Sequence, residues 1–224
     1  MFELYLDTAD IKQIARFHAC LPIKGVTTNP SILAKSGVGL NRLLLEIAEL
    51  LGPESRFHVQ VVSDTVDGMV DEAKRLQELP YDIVVKIPTT EIGLAAIKLL
   101  KADNIAVLAT AIYSVQQGVL AMFCGADYLA PYVNRIDALG VNGVDVVADL
   151  QGLIERHNRP CTLLPASFKN TRQVIEVLTC GVGAITLPPD IAEQMLIHPA
   201  VSEAVERFDN DWRQAFGEKL SYQS

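Results

Sequence analysis

Residues 83–100, Ile83-Val-Val-Lys-Ile-Pro-Thr-Thr-Glu-Ile-Gly-Leu-Ala-Ala-Ile-Lys-Leu-Leu100, decide the reading of the whole chain. Four of the first five residues are β-branched and apolar, the composition of a strand covered on both faces. After Pro88 the pattern changes, and Leu94, Ile97, Lys98 and Lys101 take amphipathic helical spacing. A strand and a helix therefore follow one another within 18 residues. Working outward, the same unit recurs. Apolar runs of strand length stand at 4–6, 25–28, 58–62, 83–87, 106–109, 128–131, 162–164 and 184–187. Helical stretches follow at 11–20, 43–51, 66–79, 92–100, 115–124, 144–157, 172–180 and 191–196. Ser63-Asp64, Ser114 and Asn170-Thr171 are the expected helix starts, and Gly52, Gly125 and Gly181 the expected ends.

Eight such units predict an α/β fold of the (β/α)8 TIM-barrel type, a single domain with an additional C-terminal helix. The competing open, doubly wound sheet usually carries a glycine-rich phosphate loop after an early strand. Neither GxGxxG nor GxxxxGK[ST] occurs here. We expect the barrel over 1–198 and a helical extension over 199–224, with a helix at 199–216. Val201, Val205, Phe208, Trp212 and Phe216 form one apolar stripe on that helix. The stripe either packs on its own barrel or docks onto a neighbouring subunit.

Composition narrows the partners. Half of the 224 residues are hydrophobic, enough to build a packed core. Nineteen Lys and Arg against 27 Asp and Glu leave a net charge of −8, which disfavours nucleic acid and anionic membranes as partners. An anionic ligand then needs a local cationic pocket. Residues 105–126 carry no charge, but Thr110, Tyr113, Ser114, Gln116, Gln117 and Gly118 lie in their middle. That pattern suits a buried strand and helix better than a membrane span. Met-Phe-Glu-Leu-Tyr-Leu-Asp lacks the basic and apolar regions of a signal peptide, so a cytoplasmic location is expected. Cys20, Cys124, Cys161 and Cys180 form no CxxC and are expected to be small core residues in a reducing compartment.

Function is signalled where the strands end. Asp7, Asn29, Gln60, Lys86, Thr110, Tyr132, Ser167 and Thr186 follow one another at intervals of 19 to 35 residues, about one βα unit each. In a (β/α)8 barrel those ends form the catalytic face. Lys86 is the least expected of them, since an ammonium group is costly inside an apolar strand. Desolvation releases its proton and makes the amine a nucleophile for carbonyl carbon. The alternative is a buried ion pair with Asp7 that serves packing only. Asp7 is a candidate acid or base, or else a helix cap, for which Asp10 is better placed. Asn29 is a candidate ligand or a turn residue before a helix. Gln60 shares a strand face with His58. Tyr132 is a candidate proton carrier or a core tyrosine with a satisfied hydroxyl. Arg135, Ser167, Lys169 and Arg172 cluster around the helix start at Asn170-Thr171 and read as a phosphate pocket or as a solvated salt-bridge surface. His18, His58, His157 and His198 are far apart, and no HxH, HExxH or GxSxG is present, so neither a metal nor another cofactor is expected.

At these residues the sequence resembles a known family. Leu-Tyr-Leu-Asp-Thr-Ala-Asp, Gly-Val-Thr-Thr-Asn-Pro-Ser-Ile, Val-Val-Lys-Ile-Pro, Ala-Pro-Tyr-Val-Asn-Arg-Ile-Asp and Ala-Ser-Phe-Lys-Asn-Thr-Arg-Gln resemble the transaldolase family. The likeness is greatest to its short bacterial branch of fructose-6-phosphate aldolases and transaldolase-like proteins. The resemblance implies that Lys86 forms the Schiff base. It implies that Asp7, Asn29 and Thr110 hold substrate hydroxyls and a catalytic water, and that Arg135, Ser167 and Lys169 bind phosphate. It implies sugar-phosphate substrates and a homo-oligomer, a pentamer or decamer. Tyr132 and Gln60 match the aldolases, which carry Tyr and Gln where transaldolases carry Phe and Glu. Two residues depart from the aldolase pattern: His58 stands in place of Phe, and Ala109 in place of Gly. The expected activity is reversible cleavage of fructose 6-phosphate to dihydroxyacetone and glyceraldehyde 3-phosphate. The alternatives are transfer of the three-carbon unit to an aldose phosphate such as erythrose 4-phosphate, and a non-catalytic sugar-phosphate-binding barrel.

Overall fold

The computed structural model describes residues 2–223. In chain order its elements are β1 (Glu3–Asp7), α1 (Ile11–His18), β2 (Ile23–Thr27), α2 (Pro30–Ser36), α3 (Leu40–Leu51), β3 (Arg56–Gln60), α4 (Val66–Gln77), β4 (Asp82–Pro88) and α5 (Glu91–Ala102). They continue with β5 (Val107–Ile112), α6 (Val115–Phe123), β6 (Tyr128–Pro131), α7 (Val133–Asp137), α8 (Gly143–Arg156), β7 (Thr162–Leu163), α9 (Thr171–Thr179), β8 (Ala184–Leu187), α10 (Pro189–Leu196) and α11 (Pro199–Phe216). All eight strands are parallel, in the order β7-β6-β5-β4-β3-β2-β1-β8. The remaining seam is bridged where Thr186 N donates to Pro165 O at 3.2 Å. The expected barrel is present, with α11 beyond it. The termini of the expected two-part division, Met1 and Ser224, lie outside the described residues.

Several local expectations are corrected. Helices α2 and α7 have seven and five residues, too short for a periodic pattern to stand out. The start expected at Ser63-Asp64 moves to Thr65, whose side chain accepts from Gly68 N. Ser63 is instead tied to the Glu72 carboxylate through its amide and hydroxyl. The cysteines meet the core only in part: Cys20 is exposed, while Cys124, Cys161 and Cys180 are partly buried and pack against the core, all four with free thiols. The stripe on α11 does not pack on its own barrel, since Val201, Val205, Phe208 and Phe216 are exposed. Among the described residues no helix is long and apolar enough to cross a membrane.

Strand alternation divides the core in two. Ile83, Val85 and Ile87 of β4 face the helical layer, in one cluster with Leu43, Ile97 and Leu150. The barrel interior holds a second, smaller cluster of Tyr5, Val84, Leu108, Tyr128, Ala130, Leu164 and Ala184. Below it, at the amino-terminal end of the strands, a polar network closes the floor. Tyr5 and Tyr128 hydroxyls both donate to Glu3 Oε2 at 2.9 Å. Arg56 donates to the Tyr128 hydroxyl at 2.6 Å and to Asp82 Oδ2 at 2.8 Å.

His58 sits inside the barrel above this floor. Its ring is fully buried and meets Tyr5 and Tyr128 edge-on, at centroid distances of 4.7 and 5.1 Å. Neither ring nitrogen has a hydrogen-bond partner among the described residues. Burial first, then the charges of Lys86 and Arg56, hold its pKa well below 6.5, so the ring is neutral. An unpaired buried polar group costs stability, and a phenyl ring of similar shape does not carry that cost. His58→Phe is therefore expected to stabilise the fold by about 1–3 kcal/mol, read as a higher urea midpoint. The unfolded chain binds a proton at this residue below about pH 6.5 while the folded chain does not. Wild type should consequently lose stability as pH falls through that value, and the variant should lose less. A lower midpoint for the variant at both neutral and mildly acidic pH would contradict the unpaired state of the ring.

Candidate active site

Lys86 faces inward because Val85 and Ile87 face outward on the same strand. It is 5% exposed, and its Nζ donates to Thr28 O at 2.6 Å. Among the described residues no carboxylate lies within ion-pair distance of it, so the packing-only pair with Asp7 does not form. Burial lowers the amine pKa from 10.5, and the more distant Asp7 charge works against that shift. Thr28 is fixed from β3, its amide donating to His58 O at 3.0 Å. Gln60 lies beside Lys86 in the β3–β4 register and is partly buried.

Asp7 ends β1, near enough for its charge to act on this amine. Its Oδ1 accepts from Thr27 Oγ1 at 2.6 Å, and Thr27 lies 2.7 Å from Thr186 Oγ1. Asp10, not Asp7, caps α1, accepting from Lys12 N and Gln13 N. The Asp7 carboxylate therefore remains within the ring of strand ends. Asn29 does act as a cap: its Oδ1 accepts from Ile32 N at 3.0 Å at the start of α2. Its amide NH2 is left to meet a ligand. A cavity of about 650 Å³ flanks the ring beside Asp7, lined by Ile11, Lys12, Ile32 and Lys35 among others.

On the opposite side of the ring, Thr110 Oγ1 and the Tyr132 hydroxyl are 2.8 Å apart. Burial raises the Tyr132 pKa and the Asp7 charge adds to it, while the Thr110 bond and Arg135 work against them. The residue after Thr110, Ala111, has φ +56° in a register shift of the β5–β6 ladder. Such a left-handed residue within a strand turns its neighbours, and is commonest near functional sites. The Arg135 guanidinium lies 4.9 Å above the Tyr132 ring and donates to the Tyr113 hydroxyl at 3.3 Å.

The expected phosphate residues are brought together unevenly. Ser167, with φ +64°, is held beside α7 by Asn134 N donating to its carbonyl at 2.8 Å. Lys169 is exposed and its ammonium has no partner among the described residues. Arg172 is drawn away to Glu176 at 2.7 Å on the outer face of α9, as in the salt-bridge reading. The loop before α9 is fixed by Gln173, which was not foreseen: its Oε1 accepts from Lys169 N at 2.8 Å and its Nε2 donates to Asp137 at 2.6 Å. Thr27, Thr28 and Tyr113 were likewise missed as contacts of the site. The paired threonines before Asn29 were the visible signal for two of them. Among the described residues no group of three or more His, Cys, Asp or Glu is arranged to hold a metal.

Comparison with solved structures shows the fold. A mandelate racemase/muconate lactonizing protein from Paracoccus denitrificans, solved with magnesium, superposes with TM-score 0.56 at 15% identity, over 85% of this chain and 56% of its own. A candidate isomerase from Sinorhizobium meliloti gives 0.62 at 12% identity, over 86% and 52%. The chain thus spans about half the length of these two proteins. At that identity they speak for the barrel alone. The transaldolase/fructose-6-phosphate aldolase family profile, in contrast, matches residues 4–223, from β1 to the turn after α11. Its span takes in every strand end of the ring around Lys86, and the chain belongs to the transaldolase/fructose-6-phosphate aldolase family.

Proposed function

We propose that this chain is a class I aldolase that cleaves fructose 6-phosphate reversibly to dihydroxyacetone and glyceraldehyde 3-phosphate. The observation that carries the reading is the Lys86 amine, buried inside the barrel at the catalytic face, without a paired carboxylate and with a lowered pKa. Such an amine is neutral over more of the working pH range than a solvated one, and so nucleophilic. Lys86 Nζ adds to the C2 carbonyl, and the carbinolamine loses water to give an iminium. Removal of the C4 hydroxyl proton forms the aldehyde carbonyl. The C3–C4 bond breaks, its electron pair passing into the iminium as an enamine. Glyceraldehyde 3-phosphate leaves. Protonation of the enamine at C3 and addition of water to the renewed iminium release dihydroxyacetone and free Lys86.

The proton carriers in this scheme are Tyr132, bonded to Thr110, with Asp7 and a water held by Gln60 and Thr110. A phenol kept protonated by burial suits the acid step. Arg135, Ser167 and Lys169 take the phosphate, and the Asn29 amide takes a substrate hydroxyl. Tyr132 and Gln60, the residues that match the aldolases, support hydrolysis over transfer. The exposed stripe of α11, with Phe208 61% exposed, supports assembly of a pentamer or decamer through that helix. A cytoplasmic location fits these sugar-phosphate substrates.

The test is release of glyceraldehyde 3-phosphate from fructose 6-phosphate, with and without erythrose 4-phosphate. Release without acceptor, at a rate the acceptor barely changes, is expected. Release only with acceptor would make the protein a transaldolase. Lys86→Met should abolish release and, by removing a desolvated amine, leave the fold at least as stable as wild type. Tyr132→Phe should lower kcat by about 10²–10⁴-fold if the hydroxyl carries the proton. A change below threefold would remove Tyr132 from that role.

A further inference from the structure

Tyr113 belongs to neither the expected site nor the scheme above, yet it joins two of its parts. It lies between the end of β5 and the start of α6, partly buried, with its amide donating to Gln117 Oε1 at 2.9 Å. Its ring meets the Tyr132 ring at 5.7 Å and an interplanar angle of 67°. Its hydroxyl accepts from Arg135 Nη1 at 3.3 Å, while the Arg135 guanidinium lies over the Tyr132 ring at 4.9 Å. The Tyr132 hydroxyl is in turn 2.8 Å from Thr110, on the same strand that leads into Tyr113. The contacts therefore close on themselves: Thr110 and Tyr113 from one βα unit, Tyr132 and Arg135 from the next.

Arg135 is exposed and forms no salt bridge among the described residues. A long, solvated side chain of this kind samples many rotamers unless something holds it. Among the described residues two interactions do so, with the Tyr132 ring and with the Tyr113 hydroxyl. The ring face attracts the cation without fixing its direction. The Tyr113 hydroxyl supplies the direction, through a single hydrogen bond.

We propose that Tyr113 is a positioning residue, which holds the Arg135 guanidinium across the face of Tyr132 and so sets the phosphate end of the substrate at a fixed distance from the hydroxyl of Tyr132. The inference rests on the reading of Arg135 as a phosphate ligand. Tyr113 touches no reacting atom. Its hydroxyl acts on the binding of phosphorylated substrate, and its ring acts on the placement of Tyr132. A preset guanidinium binds a phosphate without first losing its own freedom, which is the gain the hydroxyl provides.

The test uses the full chain and three variants, each assayed with fructose 6-phosphate and with unphosphorylated fructose at high concentration. Tyr113→Phe removes the hydroxyl alone. It should raise KM for fructose 6-phosphate about fivefold, the worth of one ordinary hydrogen bond, with kcat within about twofold and kcat/KM for fructose unchanged. Tyr113→Ala removes the ring as well and should lower kcat for both substrates and shift the basic limb of the pH profile. Arg135→Ala separates this inference from the reading beneath it. If Arg135→Ala discriminates against the phosphorylated substrate and Tyr113→Phe does not, Tyr113 does not position Arg135. If Arg135→Ala affects both substrates alike, the phosphate role of Arg135 falls and the inference falls with it.

Discussion

Keeping an amine dry inside a parallel barrel is the constraint on which the rest of this structure depends. A lysine in the middle of β4 has only two places to go. Outward, it would enter the packed layer of Ile83, Val85, Ile87 and the helices, where an ammonium has no acceptor. Inward, it reaches the upper end of the barrel, where Thr28 O accepts a hydrogen bond from its Nζ at 2.6 Å. The barrel supplies what a single sheet edge does not: eight strand ends that place short polar side chains around one point while apolar walls keep water low. Asp7 is close enough to influence Lys86 and Tyr132, yet is bonded to Thr27 rather than to the amine. That spacing is consequential. A carboxylate in contact would keep the amine protonated and unreactive.

The interior below the amine is layered by polarity. The floor of Glu3, Tyr5, Arg56, Tyr128 and Asp82, open to solvent at Asp82, is connected by hydrogen bonds. The layer of Val84, Leu108, Ala130, Leu164 and Ala184 is apolar. His58 breaks that order, since no group among the described residues pairs with its ring nitrogens and burial above all keeps the ring neutral. Two buried groups that favour the unfolded chain thus share the barrel interior. Natural proteins tolerate such costs where activity needs them, and under the proposed mechanism Lys86 is such a case.

Much of this was legible because the chain repeats one physical unit. A strand-length apolar run followed by a helical stretch recurs eight times, with Gly52, Gly125 and Gly181 marking three of the helix ends, and the candidate site follows from asking which residue stands at each strand end. What escaped was of two kinds. Helices α2 and α7 are shorter than two full helical periods, so periodicity cannot reveal them, and Asn29 was seen as a turn residue or ligand when it also caps α2. Orientation was the second. Arg135 and Arg172 look equivalent in sequence, yet one lies over Tyr132 while the other pairs with Glu176 one turn along its own helix. An i, i+4 partner was visible for Arg172; the contact of Arg135 with Tyr113 depends on two neighbouring βα units meeting. Gln173 escaped for the same reason, because its partner Asp137 belongs to another helix.

The central claim is that Lys86 carries the three-carbon donor as an iminium. Its most direct measurement is reduction with borohydride in the presence of dihydroxyacetone, followed by peptide mass analysis. The account predicts the mass of one reduced three-carbon adduct on the peptide that contains Lys86, and none when borohydride or donor is left out. An adduct on another lysine, or none on Lys86, would contradict it.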